Sequence, residues 1–184
     1  MSMRMILSSS FSGGFLGGIA VWAFLSVNGP IWAAVIAWGC FFLCGGDAKA
    51  VLIAFTGNCL GVLMAWTASN ILALNLVSVF PPLWAGVVIG PLIMLMIFIA
   101  YQLAEHFGLT LNVVPATFLG AAATFAYLSF TPDRMSMNVL HSLSFENALI
   151  TVPLSMLIGA MFGLATAKMT DALGTPTAKV GLAR

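Results

Sequence analysis

The side chains that could do chemistry deep in an apolar medium are all neutral in this sequence. They are the amide of Asn58, the hydroxyls of Thr56, Thr117, Thr124 and Ser155, the thiols, and the indoles of Trp38 and Trp66. Asn58 is the most costly of these to bury, because an amide taken out of water needs hydrogen-bond partners. Two readings follow. It is a hydrogen-bonding group for a solute in a narrow path, or it ties helices together, a common role of asparagine in membranes. Thr117 and Thr124 are seven residues apart, about two helical turns on one face. They line a path, or they bond back to their own helix. Asn58, Thr56, Thr117, Thr124 and Cys40 are the candidate solute-pathway residues.

The ionisable groups are elsewhere. Asp47, Lys49, Glu105, His106, Asp133, Arg134, His141, Glu146 and Lys168 all fall at the ends of apolar runs. Charged groups inside membranes mark proton relays and ion pathways. A midplane carboxylate coupling transport to protons, or a charged ring selecting ions, has no agent here. Asp47 and Lys49 form a small charged turn that pairs, caps helix ends or gates a path. Glu105-His106 reads as an interfacial end cap or a surface pH sensor. A His-Glu-x-x-His zinc helix and a Gly-x-Ser-x-Gly elbow are both missing. Without a buried acid or base, an enzyme is not expected. Cys40, Cys44 and Cys59 are too few and too poorly supported for a structural metal site, and read as small packing residues. No metal and no cofactor is expected.

These residues must be held by something, and composition says what. Of 184 residues 61% are hydrophobic and 6% charged, against about 25% charged in a soluble domain. So few charges do not keep a globule in water, and the class is polytopic membrane protein with the lipid bilayer as its partner. The basic residues are scattered, with no patch that tracks a phosphate backbone, so no nucleic acid is expected.

Six apolar runs are expected as transmembrane helices, at about 11–27, 30–45, 50–73, 82–102, 113–130 and 148–168. The second is short, reaching only about 22 Å at about 1.5 Å per residue. Pro30 suits a first helical turn and Gly45-Gly46 a helix end. Pro91 and Pro153 fall inside runs and predict kinks. The first run, despite Arg4 before it, lacks a convincing cleavage site and reads as a retained span rather than a signal peptide. With six spans, one side receives Arg4, Lys49, Lys168, Lys179 and Arg184, and the other only Arg134. That bias puts both termini in the cytoplasm and 131–147 outside as the longest loop. The domains are a six-helix region over 1–170 and a flexible cytoplasmic tail over 171–184.

The halves look related. AVIAWGCFFL at 34–43 lies against TFLGAAATFA at 117–126, pairing Phe42 with Phe125, and Gly61 has a counterpart in Gly159. Three spans per half is odd, so a repeat would set the halves in opposite orientations, a three-plus-three inverted repeat. Gly-x-x-x-Gly spacings at Gly13/Gly17, Gly14/Gly18, Gly57/Gly61, Gly86/Gly90 and Gly159/Gly163 predict close helix packing. They outnumber what one bundle needs, which suggests a homo-oligomer.

Several stretches carry a resemblance. Trp32-Ala33 with Phe41-Phe42, then Gly45, Gly46 and Lys49, then Asn58, Gly61, Val62, Leu63, Ala65 and Trp66 form the first. Val114, Pro115, Thr117, Phe118, Gly120, Ala123, Thr124, Phe125 and Ala126 form the second. Together they resemble a small six-span bacterial inner-membrane family, domain of unknown function 1097, over roughly the first five spans. The loop after Phe130 is longer than that pattern. The resemblance implies location and span number but no catalytic residue and no substrate. From the residues themselves the leading expectation is a passive channel or permease for a small neutral or weakly ionised solute. A structural or regulatory protein without a path, and a secondary transporter with an ion site of backbone carbonyls, are the alternatives.

Overall fold

Helix boundaries follow the punctuation of the chain. The computed structural model describes residues 3–74 and 81–174. Its elements are α1 (Met3–Ser26), α2 (Ile31–Leu43), α3 (Ala48–Ala73), α4 (Pro81–His106), α5 (Val113–Phe130), α6 (Met137–Leu140) and α7 (Ala148–Gly174). Five are long and apolar enough to cross a membrane, and α2 is a shorter apolar helix among them. The protein is an all-α, multi-pass membrane protein.

At the end of α1, Asn28 takes a positive φ and the Gly29 N–H reaches back to the Phe24 carbonyl at 2.8 Å. Pro30 then caps α2. Gly45 and Gly46 both have positive φ, which a residue without Cβ adopts at little cost, and the Gly46 N–H closes α2 on the Phe41 carbonyl at 3.1 Å. Asp47 caps α3, its carboxylate accepting from the Ala50 N–H at 2.9 Å. Asn147 does the same for α7, accepting from the Leu149 N–H at 3.0 Å. α4 and α7 continue through Pro91 and Pro153.

Helices outrun the apolar runs. α1 begins before Arg4, α4 extends through Glu105 and His106, and α7 through Lys168 and Asp171. Hydropathy marks the part of a helix that meets hydrocarbon, whereas backbone bonding carries the helix on into the interface. The last four residues described, 171–174, are the final turn of α7; the rest of the expected tail, 175–184, lies outside the described residues.

Four helices form the centre. α3 lies along α5 and α2 along α7, and these are the two most extensive pairings. α3 also meets α7, while α1 leans on α7 and α4 on α3 from outside. The pairings match under the register that aligned the halves, with α2 answering to α5 and α3 to α7. A Cβ on Gly61 of α3 would overlap the Thr117 carbonyl of α5. A Cβ on Gly159 of α7 would overlap the Ala34 carbonyl of α2. Gly61 and Gly159 are counterparts in sequence, and so are Thr117 and Ala34. The same backbone-to-backbone contact is therefore made twice. α1 and α4 are also counterparts. The glycines they carry, Gly13, Gly14, Gly17, Gly18, Gly86 and Gly90, have nothing near where a Cβ would stand.

Candidate functional site

Two apolar layers enclose the middle of the bundle. Toward the α2–α3 turn, Cys40, Phe41, Ile53, Ala54, Val113 and Ala116 pack together. Toward the α5–α7 connection the packed set is Ala33, Ala37, Val62, Tyr127, Val152 and Met156. Asn58 lies on α3 between them along the axis, where α3 crosses α5. Its backbone is so close to α5 that a Cβ on Gly120 would lie 2.7 Å from the Asn58 Cα. Gly57 faces the same helix, with a Cβ there 2.7 Å from the Val113 carbonyl oxygen.

Asn58 is fully buried, and among the described residues neither its Nδ2 nor its Oδ1 has a hydrogen-bond partner. This is unusual, since buried polar atoms are nearly always satisfied. An orphaned amide costs about 1–3 kcal/mol. The crossing brings Thr117 and Thr124 to the same place, one turn either side of Gly120 on the face of α5 turned to α3. Both hydroxyls are spent on their own helix: Thr117 donates to the Val114 carbonyl at 2.7 Å and Thr124 to the Gly120 carbonyl at 2.9 Å. Their protons are therefore not offered to Asn58 Oδ1, and among the described residues neither oxygen accepts from its Nδ2. Thr56 is half-buried and, two residues from Asn58 on a helix, lies across from it. Cys40 belongs to the layer below, its sulfur 3.9 Å from that of Cys44. Of the five candidate pathway residues, three converge and two do not.

Asp47 and Lys49 are adjacent but not joined. Asp47 is the cap of α3, and the Lys49 ammonium donates to the Gly108 carbonyl at 3.1 Å, tying the α2–α3 turn to the α4–α5 turn. Asn112 adds a second tie, donating to the Leu43 carbonyl at 2.9 Å.

At the opposite end the bundle opens into a cavity of about 720 Å³ lined by the end of α1, the starts of α2 and α7, and the end of α5. Trp32, Tyr127, Arg134, Glu146, Thr151 and Ser155 supply its polar and aromatic wall. Arg134 Nη1 and Glu146 Oε1 are 2.8 Å apart, the one ion pair among the described residues. That hydrogen bond raises the Arg134 guanidinium above its already high range, with burial opposing. Arg134 Nε is buried with no hydrogen-bond partner among the described residues. The Tyr127 hydroxyl donates to the Glu146 carbonyl at 3.1 Å, and the Thr151 hydroxyl bonds the Phe145 carbonyl. Asn58 does not line this cavity, nor a smaller apolar one of about 220 Å³ between α3, α4 and α5.

Between Arg134 and Glu146 the chain forms α6, which is tied to α3 and to the start of α7. The Trp66 indole donates to the Leu140 carbonyl at 3.0 Å, and Asn147 Nδ2 donates to the same carbonyl at 3.0 Å. His141 stands edge-on to Trp66, with ring centres 5.7 Å apart. Sequence reasoning placed Arg134 and Glu146 on the outer loop but did not join them. The eleven residues between them, α6 included, carry no period that would pair the two. The available signal was chemical: one basic and two acidic residues in an otherwise uncharged outer loop.

Comparison with known proteins adds one finding. Residues 10–171 match the model of a family described as protein of unknown function (DUF1097). No curated protein matches, and no solved structure matches.

Proposed function

We propose, for a chain that belongs to the DUF1097 family of unknown function, a passive path for a small neutral or weakly ionised solute across the bacterial inner membrane. The carrying observation is Asn58, an amide fully buried at the midpoint of the bundle with both polar atoms unpartnered. Interhelical glue would show a bonded amide, and the Thr117 and Thr124 hydroxyl protons are given to their own helix. A group kept at that cost is supported as one that meets something transient. The conformation described is a closed one. Vestibule and amide are separated by the layer containing Val62, Val152 and Met156. Opening that layer joins them. The excess of basic residues at the end bearing both termini supports a cytoplasmic location for that end.

A structural reading has its own support, since the glycine crossings bring backbones into contact and leave little room. Flux decides between the two. Full-length protein in vesicles should speed entry of small polar solutes over protein-free vesicles, measured by stopped-flow light scattering. Asn58→Leu should lose that flux while folding normally. Equal rates with and without protein, across a broad panel of neutral solutes, leave the structural reading standing alone.

A further inference from the structure

We infer that the solute is a small planar amide, of the urea or acetamide type, rather than an alcohol or a carboxylate. The inference rests on the permeation reading and narrows it. Two polar stations stand along the axis, one at the vestibule wall and one at the centre, and both present a donor beside an acceptor. At the centre Asn58 offers Nδ2 to donate and Oδ1 to accept, and neither is used among the described residues. A carboxylate could take the donor but would set its own oxygen against Oδ1. A single hydroxyl can meet both only through one oxygen, with bent and so weaker hydrogen bonds. A primary amide or urea meets both at once, as amides pair with each other.

The vestibule repeats this logic with stronger groups. Arg134 and Glu146 neutralise each other through their 2.8 Å contact, so the wall holds no net charge to capture a free ion. What remains is the unpartnered Arg134 Nε donor and the spare lone pairs of a carboxylate that is half exposed. A carbonyl oxygen fits the first and an amide N–H the second. Sites built around hydrogen bonds reject solutes that leave their polar groups unpaired, because a buried unpaired group is penalised. The aromatic wall of Trp32 and Tyr127 gives a planar solute a flat surface.

The test uses the full chain in phospholipid vesicles with urea, acetamide, glycerol and acetate as probes, each rate divided by that of protein-free vesicles. Urea and acetamide should enter about tenfold faster than in empty vesicles, with glycerol and acetate unaccelerated. Arg134→Met lies outside the packed centre, and it should lower urea entry severalfold with helix content unchanged. Glycerol or acetate accelerated as strongly as urea would overturn the amide assignment and leave permeation standing. No acceleration of any probe would overturn both. Urea entry unaltered by Arg134→Met would remove the vestibule from the recognition site and overturn the two-station argument.

Discussion

The two helix crossings at the centre share a backbone and differ in what fills it. Where α2 meets α7, Gly159 rests on Ala34, and the space around is taken by Met156 and Phe41, both fully buried. The Phe41 ring presses on α7 so closely that a Cβ on Gly163 would stand 2.6 Å from its Cδ1. Where α3 meets α5, Gly61 rests on Thr117 in the same way. The positions answering to Met156 and Phe41 are Asn58 and Thr124. One crossing is a packed apolar joint; its mate carries an unpaired amide and a self-bonded hydroxyl. The backbone contact is thus the same at both crossings, and these polar side chains stand at only one of them.

The comparison breaks first at the glycines. Gly61→Ala and Gly159→Ala each push a methyl into a carbonyl of a facing helix, and rigid backbone cannot yield as a side chain tip does. Each should cost about 3 kcal/mol or more, read as loss of folded yield in detergent and a shift in chemical unfolding. Gly17→Ala and Gly90→Ala, with open space at the Cβ, should be neutral or stabilise by up to about 1 kcal/mol through helix propensity. If the open-face substitutions proved as damaging as the crossing ones, the assignment of the crossings as the structural joints would be wrong.

The next prediction exchanges the fillings. Asn58→Met gives the α3–α5 crossing the residue its counterpart has. It should stabilise the protein by about 1–3 kcal/mol, because an orphaned amide is removed, and it should abolish solute flux. The reverse change, Met156→Asn, buries an amide in the apolar joint and should destabilise by about 2–5 kcal/mol. Full solute flux through a folded Asn58→Met would take the amide out of the path and favour the structural reading over the permeation one.

How much of this was legible in the sequence follows from where periodicity and hydropathy carry information. The six runs marked six apolar helices, five of them long enough to cross a membrane, because their borders carry a proline, a glycine pair or a charged cap such as Asp47. The pairing of Gly61 with Gly159 was legible as a weak echo, and became meaningful only when both were found against aligned carbonyls. That the hydroxyls of Thr117 and Thr124 turn back to their own helix was one of two open readings; rotamers are not written in spacing. α6 was not foreseen, since Met137–Leu140 is a single turn within a loop. Neither was the vestibule, because it is assembled from chain ends distant in sequence. Thr56 and Cys40 were grouped with Asn58 by being polar, and the helical angle and the axial position separate them from it.

The smallest predicted effect concerns the helices that begin the two third segments, α3 and α7, both capped by a short polar side chain. Asp47 makes one bond in its cap, to the Ala50 N–H. Asn147 makes a cap and more: its Oδ1 accepts from the Leu149 N–H, while its Nδ2 donates to the Leu140 carbonyl at 3.0 Å and to the Ser142 carbonyl at 2.7 Å. Asp47→Ala should therefore cost about 1 kcal/mol, the ordinary loss of a cap. Asn147→Ala should cost about 2 kcal/mol, a cap together with the bonds that anchor the α6 segment. Hydrogen exchange separates the two. The first variant should expose amides at the start of α3 alone. The second should also expose 137–147, and with them loosen the wall that carries Glu146. Local exchange confined to the first turn of α7 would show the loop to be held by Trp66 alone, and would leave the two ends of the bundle more alike than their hydrogen bonds suggest.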